Sequence, residues 1–398
     1  MTIAIKVRPS MSTYVVTELR LRRLTLALAG GLFLGLLVFL ETGKYENTAF
    51  YQGDFPAFFA AAEIVWTGRG MDLYDFELQR KLQHNHWPDP TGGFYIFAYP
   101  PFFALLLSPL ASLSPLVAKG IASVILFAAL CGALLLARST SDFVRRHFLF
   151  SLMYLLTLVP MQMAIFGVQN TSISMVLMSL VHWASQHGRP LITGLCASLL
   201  LYKPQFGAIL FLFILGRFRK DELIGWGLGA IALYLLGALV LGLSWPLVWL
   251  KAATDFGALN FTINDYNMIS IAGLMYWFSA LFTENGASGL PWAYLLSVVI
   301  LLLSVWYVRQ NEKRFLIAPH LMLLLSPQTL FYDVAIAVFY LMRNLRPYNT
   351  DDFKILLAIW LYCSIALMFR DLVSFPLFSV LLIAIILIYF RRVNVVIH

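Results

Sequence analysis

Long apolar segments recur along the chain from Leu24 to Phe390, separated by short polar stretches that contain most of the charged residues. One apolar helix crosses a bilayer with about 20 residues, so 398 residues have room for roughly a dozen crossings. We therefore predict an all-α polytopic membrane protein, a single integral membrane domain over 1–398. The pattern places its crossings at about 24–40, 116–137, 148–166, 171–186, 191–203, 204–216, 223–243, 291–308, 315–327, 328–343, 353–369 and 376–390.

Composition supports this class. Hydrophobic residues make up 60% of the chain, charged residues only 12%, and the mean hydropathy is +0.79. The net charge of +8 comes from short clusters beside apolar segments, which is typical of helix ends retained in the cytoplasm. We therefore expect membrane lipids, and no nucleic acid, as partners. The three cysteines lie far apart inside apolar segments and have no CxxC spacing, which favours small core residues.

The basic clusters predict the topology. Cations before the first segment place the tail 1–23 in the cytoplasm, with 24–40 as a signal anchor. Residues 41–114 then form a long external loop, 244–290 a second external loop with interfacial helices, and 291–398 the C-terminal helices. Pro100, Pro101 and Pro109 within Phe97–Leu113, and Pro115 just after it, break helical pairing, so we interpret this piece as re-entrant or interfacial. Both termini are then cytoplasmic, and we expect the protein in the plasma membrane.

This topology brings several polar residues to the external side, although the charge pattern does not require it. Asp54 follows the first crossing and can act as a general base, or it can cap a helix that has Pro56 in its first turn. Glu63 lies nine residues further on, about two and a half helical turns away. The remaining residues are Tyr99, Gln169, Asn170, Lys203, Gln205, Gln328 and Asp333.

Each intramembrane polar residue has two interpretations. Lys203 precedes Pro204, so it can face a phosphate at a helix break or extend to the membrane interface. Asp333 is a functional candidate, or an ion-pair partner for a cation such as Lys203. Gln169 and Asn170 can bind sugar hydroxyls, or make structural hydrogen bonds between helices. No HExxH, Walker or GxSxG pattern is present, so we expect neither metal nor cofactor.

Five motifs together resemble glycosyltransferase family 87. They are DFPAFFAAAEIVWTGRGMDLYD from Asp54, AYPPFFALLLSPLASL from Ala98, VQNTSISMVL from Val168, GLCASLLLYKPQFGAILFL from Gly194 and LLSPQTLFYDVAIAV from Leu324. The resemblance implies a GT-C fold and transfer of a sugar from a polyprenyl-phosphate donor on the external face, without nucleotide or metal. Asp54 matches the family's catalytic aspartate. The chain departs from the family pattern at GVQN, where GQN is usual, and at Phe331-Tyr332-Asp333, where Trp and His are common.

On this basis we expect a membrane glycosyltransferase that moves mannose or another hexose to a lipid or glycan acceptor with inversion. Asp54 would act as the base and Lys203 would stabilise the leaving phosphate. The expected substrate-binding residues are Glu63, Tyr99, Gln169, Asn170, Lys203, Gln205, Gln328 and Asp333. Two other classes stay open: a transporter or flippase of lipid-linked glycans, and a polymerase or ligase that uses them.

Overall fold

The computed structural model describes residues 23–31, 53–88, 93–283, 286–308, 314–373 and 375–395. Within them the chain is helical and forms no strand. Residues 23–31 are helical, and the rest of the predicted first crossing and the tail before it lie outside the described residues. The helices that follow are α1 (Phe55–Trp66), α2 (Phe76–His86), α3 (Pro101–Leu107), α4 (Pro115–Arg138), α5 (Asp142–Arg146), α6 (Phe148–Thr157), α7 (Val159–Phe166), α8 (Thr171–Gln186), α9 (Pro190–Leu199), α10 (Pro204–Arg217), α11 (Lys220–Leu241), α12 (Trp245–Asn264), α13 (Ile271–Ala280), α14 (Leu290–Val308), α15 (Arg314–Leu325), α16 (Val334–Met342), α17 (Thr350–Val373) and α18 (Leu377–Val395).

The predicted number of crossings is not confirmed. Among the described residues, four stretches are long and apolar enough to cross a membrane: Pro115–Arg138, Lys220–Leu241, Gly286–Tyr307 and Thr350–Phe369. A fifth span is possible if α6 and α7, which meet at a bend of 72°, count as one broken helix. Several other predicted crossings form shorter apolar helices. The protein is therefore an all-helical membrane protein with four or five candidate spans and a set of shorter apolar helices.

Prolines explain much of this shortening. Pro190 and Pro204 are the first residues of α9 and α10, and Pro160 lies in the first turn of α7. A proline has no N–H to donate and disfavours helical geometry in the residue before it, so it begins a new helix more readily than it continues one. Lys203 lies at the break between α9, with its 3₁₀ turn over Leu200–Tyr202, and α10, where the Lys203-Pro204 sequence indicates a helix break.

The two predicted external loops contain short helices. In the first, α3 and a 3₁₀ turn over Ser108–Ser112 are too short to cross, and the span α4 begins only at Pro115. In the second, α12 and α13 are joined by a 3₁₀ turn over Asp265–Asn267. Their placement relative to the membrane stays a prediction.

The core surrounds α16, in which all nine residues are buried. It packs against α8, α15 and α18, and its N-terminal end carries a 3₁₀ turn over Phe331–Asp333. Asp333 therefore directly precedes a helix whose residues are all buried. Elsewhere α9 and α11 pack with backbones in direct contact at Gly194, where an added Cβ would lie 1.9 Å from the carbonyl oxygen of Glu222.

Candidate active site

A cavity of about 800 Å³ lies among the N-terminal end of α1, the segment 94–99, the ends of α7 and α10, the inner face of α12 and the segment 328–333. Its charged lining residues are Asp54, Lys203 and Asp333. Neutral amides and tyrosines supply most of the other polar groups: Gln162, Gln169, Gln205, Asn260, Asn264, Asn267, Gln328, Tyr95, Tyr99, Tyr202 and Tyr332. The described lining thus combines neutral polar groups and a few charges with aromatic walls.

The Asp54 carboxylate faces this cavity. Asp54 occupies the N-cap position of α1, yet its side chain makes no capping hydrogen bond to the helix. Instead its Oδ1 accepts a hydrogen bond from Gln169 Nε2 at 3.0 Å, and its Oδ2 accepts one from the Tyr99 hydroxyl at 3.4 Å. The side-chain capping alternative is therefore not what the structure contains. Two neutral donors hold the carboxylate in place and leave it without an ion-pair partner at hydrogen-bond distance among the described residues.

A tight backbone joint brings Gln169 to Asp54. Gly53 has φ +102°, and a Cβ there would lie 2.4 Å from Gly167 Cα, so only glycine allows this approach. The Asp54 amide donates to the Gly167 carbonyl oxygen at 3.0 Å. Val168, the residue by which GVQN differs from GQN, has φ +54°, a conformation that costs an L-residue about 1–2 kcal/mol. The backbone N–H of Gln169 donates to the Ala164 carbonyl oxygen at 2.7 Å, which closes the turn.

Burial raises the pKa of Asp54 above its ordinary value of 3.8. The Gln169 hydrogen bond, the positive charge of Lys203 and the Tyr99 hydrogen bond oppose this shift because they favour the charged carboxylate. The net direction is upward, which makes Asp54 a stronger proton acceptor than an exposed aspartate. Such a shift suits a carboxylate that must take a proton from a hydroxyl group.

Lys203 and Asp333 form a buried ion pair beside Asp54. Lys203 Nζ lies 3.1 Å from Asp333 Oδ2, and the Thr171 hydroxyl donates to Asp333 Oδ1 at 2.8 Å. The side chains of Lys203 and Asp333 are only 8% and 3% exposed. Lys203 is held here because it precedes Pro204 at the start of α10. Of the alternatives that the sequence leaves open, the structure contains the ion pair, and Lys203 does not extend to the surface.

Two glutamines hold the backbone of the extended segment that leads to Tyr99. Gln79 and Gln83, one turn apart on α2, each use both atoms of the amide to pair with the backbone of an extended segment. Gln79 pairs with the N–H and C=O of Phe97, and Gln83 with those of Tyr95. The two side chains thus hold alternate residues of this segment, as the backbone of a neighbouring β-strand would. Tyr99 lies two residues beyond Phe97.

The structure brings together most of the residues that the sequence singled out. Asp54, Tyr99, Gln169, Lys203, Gln205, Gln328 and Asp333 all line the cavity. Asn170 lies behind this lining, where its carbonyl oxygen accepts a hydrogen bond from the Tyr202 hydroxyl at 3.1 Å. Glu63 is not brought into the group. Its Oε2 lies 2.9 Å from His86 Nε2, on the α2 side of α1, and it does not line the cavity.

Sequence reasoning missed several lining residues. Tyr202, Tyr332 and Gln162 were not candidates, and Asn260, Asn264 and Asn267 were assigned only to an interfacial helix layer. The asparagines carried a signal, because spacings of four and three residues place them on one helical face. Among the described residues no group of three or more His, Cys, Asp or Glu side chains is arranged to hold a metal ion.

These features define a helical membrane protein with a polar, aromatic-walled cavity that presents a poised carboxylate. Comparison with protein families identifies it further: the model of glycosyltransferase family 87 matches residues 97–331. The match covers more than half of the chain, so the protein belongs to glycosyltransferase family 87 and is a membrane glycosyltransferase. It confirms the resemblance seen in the motifs, although the first motif, which contains Asp54, lies well before the matched range, and Asp333 lies two residues after it. Searches of curated proteins and of solved structures gave no match.

Proposed function

We propose that the protein transfers a hexose from a polyprenyl-phosphate donor to a hydroxyl group of a lipid or glycan acceptor on the external face of the plasma membrane. Asp54 takes the proton of the acceptor hydroxyl, whose oxygen attacks the anomeric carbon. The bond from that carbon to the phosphate oxygen breaks, and its electron pair leaves with the lipid phosphate. A single displacement of this kind inverts the anomeric centre.

The state of the Asp54 carboxylate is the observation that carries this proposal. It lines the cavity, it is not used as a helix cap, and its pKa is raised. Gln169 and Tyr99 fix its orientation without neutralising it. A general base needs to be within reach of the hydroxyl and to have suitable basicity, and geometry is the first requirement.

The charge of the cavity supports a donor with one phosphate. Lys203 is the one cationic side chain among the described residues that line it. An ammonium group has three N–H donors, so Lys203 can keep its bond to Asp333 and still donate to a phosphate oxygen. A sugar-phosphate diester carries one negative charge, so it adds less unbalanced charge beside Lys203 than a diphosphate would. A diphosphate carries more charge, and the acids Asp54 and Asp333 would oppose it.

The alternatives make different demands on these residues. A transporter or flippase of lipid-linked glycans needs a polar path but no base. A polymerase or ligase that takes diphosphate-linked donors needs more positive charge than the described residues that line this cavity offer. The proposal is therefore favoured over both by the charge and by the base, taken together.

The test presents purified protein in lipid nanodiscs with three labelled donors: a polyprenyl monophosphate hexose, a polyprenyl diphosphate hexose and a nucleotide hexose. Lipid extract from the source membrane serves as acceptor, and products are identified by mass spectrometry. Label should enter glycolipid from the monophosphate donor only. Transfer from the diphosphate donor would favour the polymerase or ligase alternative. Movement of intact lipid-linked sugar across vesicles, without transfer from any donor, would favour the transporter.

A further inference from the structure

The amide side chains on the inner face of α12 lie in its second half. Residues that line the cavity recur at helical spacing along this face. The first half presents Trp249, Ala253 and Phe256, and the second half, continued by the following 3₁₀ turn, presents Asn260, Asn264 and Asn267 together with Leu259 and Ile263. The mechanism proposed above does not use the second half.

The three asparagines form a hydrogen-bonded ladder. Asn264 Nδ2 donates to Asn260 Oδ1 at 2.9 Å, and Asn267 Nδ2 donates to Asn264 Oδ1 at 3.4 Å. Asn260 and Asn267 are 4% and 8% exposed. Asn267 Oδ1 has no hydrogen-bond partner among the described residues. Buried amides are costly unless their donors and acceptors are paired, so an incompletely paired ladder beside a cavity points to a polar occupant.

A backbone hydrogen bond joins the chain just after the ladder to the segment that leads to Asp333. The Ile269 amide donates to the Thr329 carbonyl oxygen at 2.9 Å, which ties the chain after Asn267 to the chain after Gln328. The Gln328 amide packs at Gly257 of α12, where an added Cβ would lie 2.6 Å from Gln328 Nε2. Gln328 therefore adds a fourth primary amide to the same side of the cavity, five residues from Asp333.

The chemistry of this side matches a sugar ring. A primary amide both donates and accepts hydrogen bonds without carrying charge, and so does a sugar hydroxyl. The aromatic half of α12 offers apolar surface to the C–H face of a ring. A lipid chain would leave the amides unpaired, and a phosphate would find no cation among them. We propose that Asn260, Asn264, Asn267 and Gln328 form a subsite for the hydroxyl groups of a pyranose; as a site of sugar transfer it rests on the proposed function.

The subsite is tested by binding, so that the result does not depend on transfer. The probes are short-chain prenyl-phosphate hexosides, which represent the donor, and octyl hexosides, which represent an acceptor, each with mannose, glucose and galactose. Binding to wild-type protein in nanodiscs is compared with Asn260→Leu/Asn264→Leu. Thr262→Val is the matched control, because Thr262 is exposed on the same helix and does not line the cavity.

We expect at least one probe to bind wild-type protein and its dissociation constant to rise about tenfold or more, which is about 1.4 kcal/mol or more, in the double variant, because two side chains that hydrogen-bond to the ring are lost. Thr262→Val should bind as wild type. Selective loss of prenyl-phosphate hexoside binding assigns the ring to the donor, and selective loss of octyl hexoside binding assigns it to the acceptor. Equal affinities in both variants, or no binding of any hexoside at millimolar concentration, would overturn the subsite.

Deoxy probes make the test independent of variant folding. In wild-type protein, removal of the hydroxyl that meets the ladder should weaken binding, and the same removal should change nothing in the double variant. If no deoxy probe binds wild-type protein more weakly than its parent, the subsite is excluded. If hexosides bind through the ladder but no donor supports transfer, the subsite stands and the proposed function fails.

Discussion

At the scale of single residues, Asp54 ties activity to pH. Its pKa is raised by burial and restrained by the Gln169 hydrogen bond. The base form is lost as pH falls through this raised pKa, so transfer should decline on acidification before an ordinary aspartate would titrate. Gln169→Leu removes a bond to the charged form and should move the midpoint of the pH–rate profile upward. A midpoint that stays in place, or moves downward, would contradict this account; Thr262→Val serves as the control.

The Lys203–Asp333 pair predicts a second effect at this scale. Lys203→Met leaves Asp333 buried and without its cation, which should cost about 3–5 kcal/mol of stability. Lys203→Met/Asp333→Leu removes both charges and should recover most of that loss. Thermal unfolding in nanodiscs measures it. Transfer should stay low in both proteins, because neither has a cation for the phosphate. Full stability of Lys203→Met would contradict a stabilising role of the ion pair, and full activity of the double variant would contradict the role of Lys203 at the phosphate.

At the scale of elements, sequence patterns predicted the helices and the breaks but not how far each helix extends. Proline positions indicated the break at Lys203, and the prolines within and just after Phe97–Leu113 indicated short pieces before α4. The predicted number of twelve crossings was not confirmed, because an apolar stretch of sequence does not reveal whether it forms one long helix or two short ones. In 148–166 the chain bends by 72° between α6 and α7.

Site residues could be predicted from the sequence where the residue type alone is informative. They could not be predicted where the role depends on a contact with a residue distant in the sequence. A charge in an apolar segment marked Lys203 and Asp333. Glu63 was grouped with Asp54, and its contact with His86 on α2, 23 residues away, could not be read from the sequence. The contacts of Gln79 and Gln83 were not predicted, because their backbone partners Phe97 and Tyr95 are 18 and 12 residues distant and no local sequence pattern indicates them.

The joint between α1 and α7 gives the prediction for this scale. Gly53→Ala places a Cβ against Gly167 and keeps an alanine at positive φ, so it should both destabilise the protein and separate Asp54 from Gln169. Gly68→Ala is the matched control: its φ is +76°, but nothing lies within 4 Å of the added Cβ. It should cost about 1–2 kcal/mol of backbone strain and leave transfer intact. Similar transfer rates in the two variants would argue against the joint.

At the scale of the whole molecule, the basic clusters predict which face carries the site. Single cysteines at Asn85 and Asp221, both exposed, test this in a background with Cys131, Cys196 and Cys363 replaced by alanine. Asp221 is preferable to its neighbour Glu222, which is fully buried. In intact cells an impermeant maleimide should label Asn85→Cys and spare Asp221→Cys until the membrane is opened. Labelling of Asp221→Cys alone would reverse the topology.

The whole account depends on Asp54 acting as a base, and Asp54→Asn tests that most directly. Asparagine keeps the shape and an acceptor for Gln169, and it removes the cost of burying a charge. Burial raises the pKa of Asp54 in the folded state. The cost of burying its charge therefore grows as the pH rises from the unfolded-state pKa of this carboxyl to its folded-state pKa. The variant should therefore unfold no earlier than wild type.

The measurement is the rate of hexose transfer from the polyprenyl monophosphate donor in nanodiscs, run beside thermal unfolding. Glu77→Gln, an exposed carboxylate on α2, is the control and should behave as wild type. For Asp54→Asn the account predicts a rate lower by about 10²–10⁴-fold, the usual loss for a general base, with stability unchanged or increased. Transfer at the wild-type rate by Asp54→Asn would contradict it.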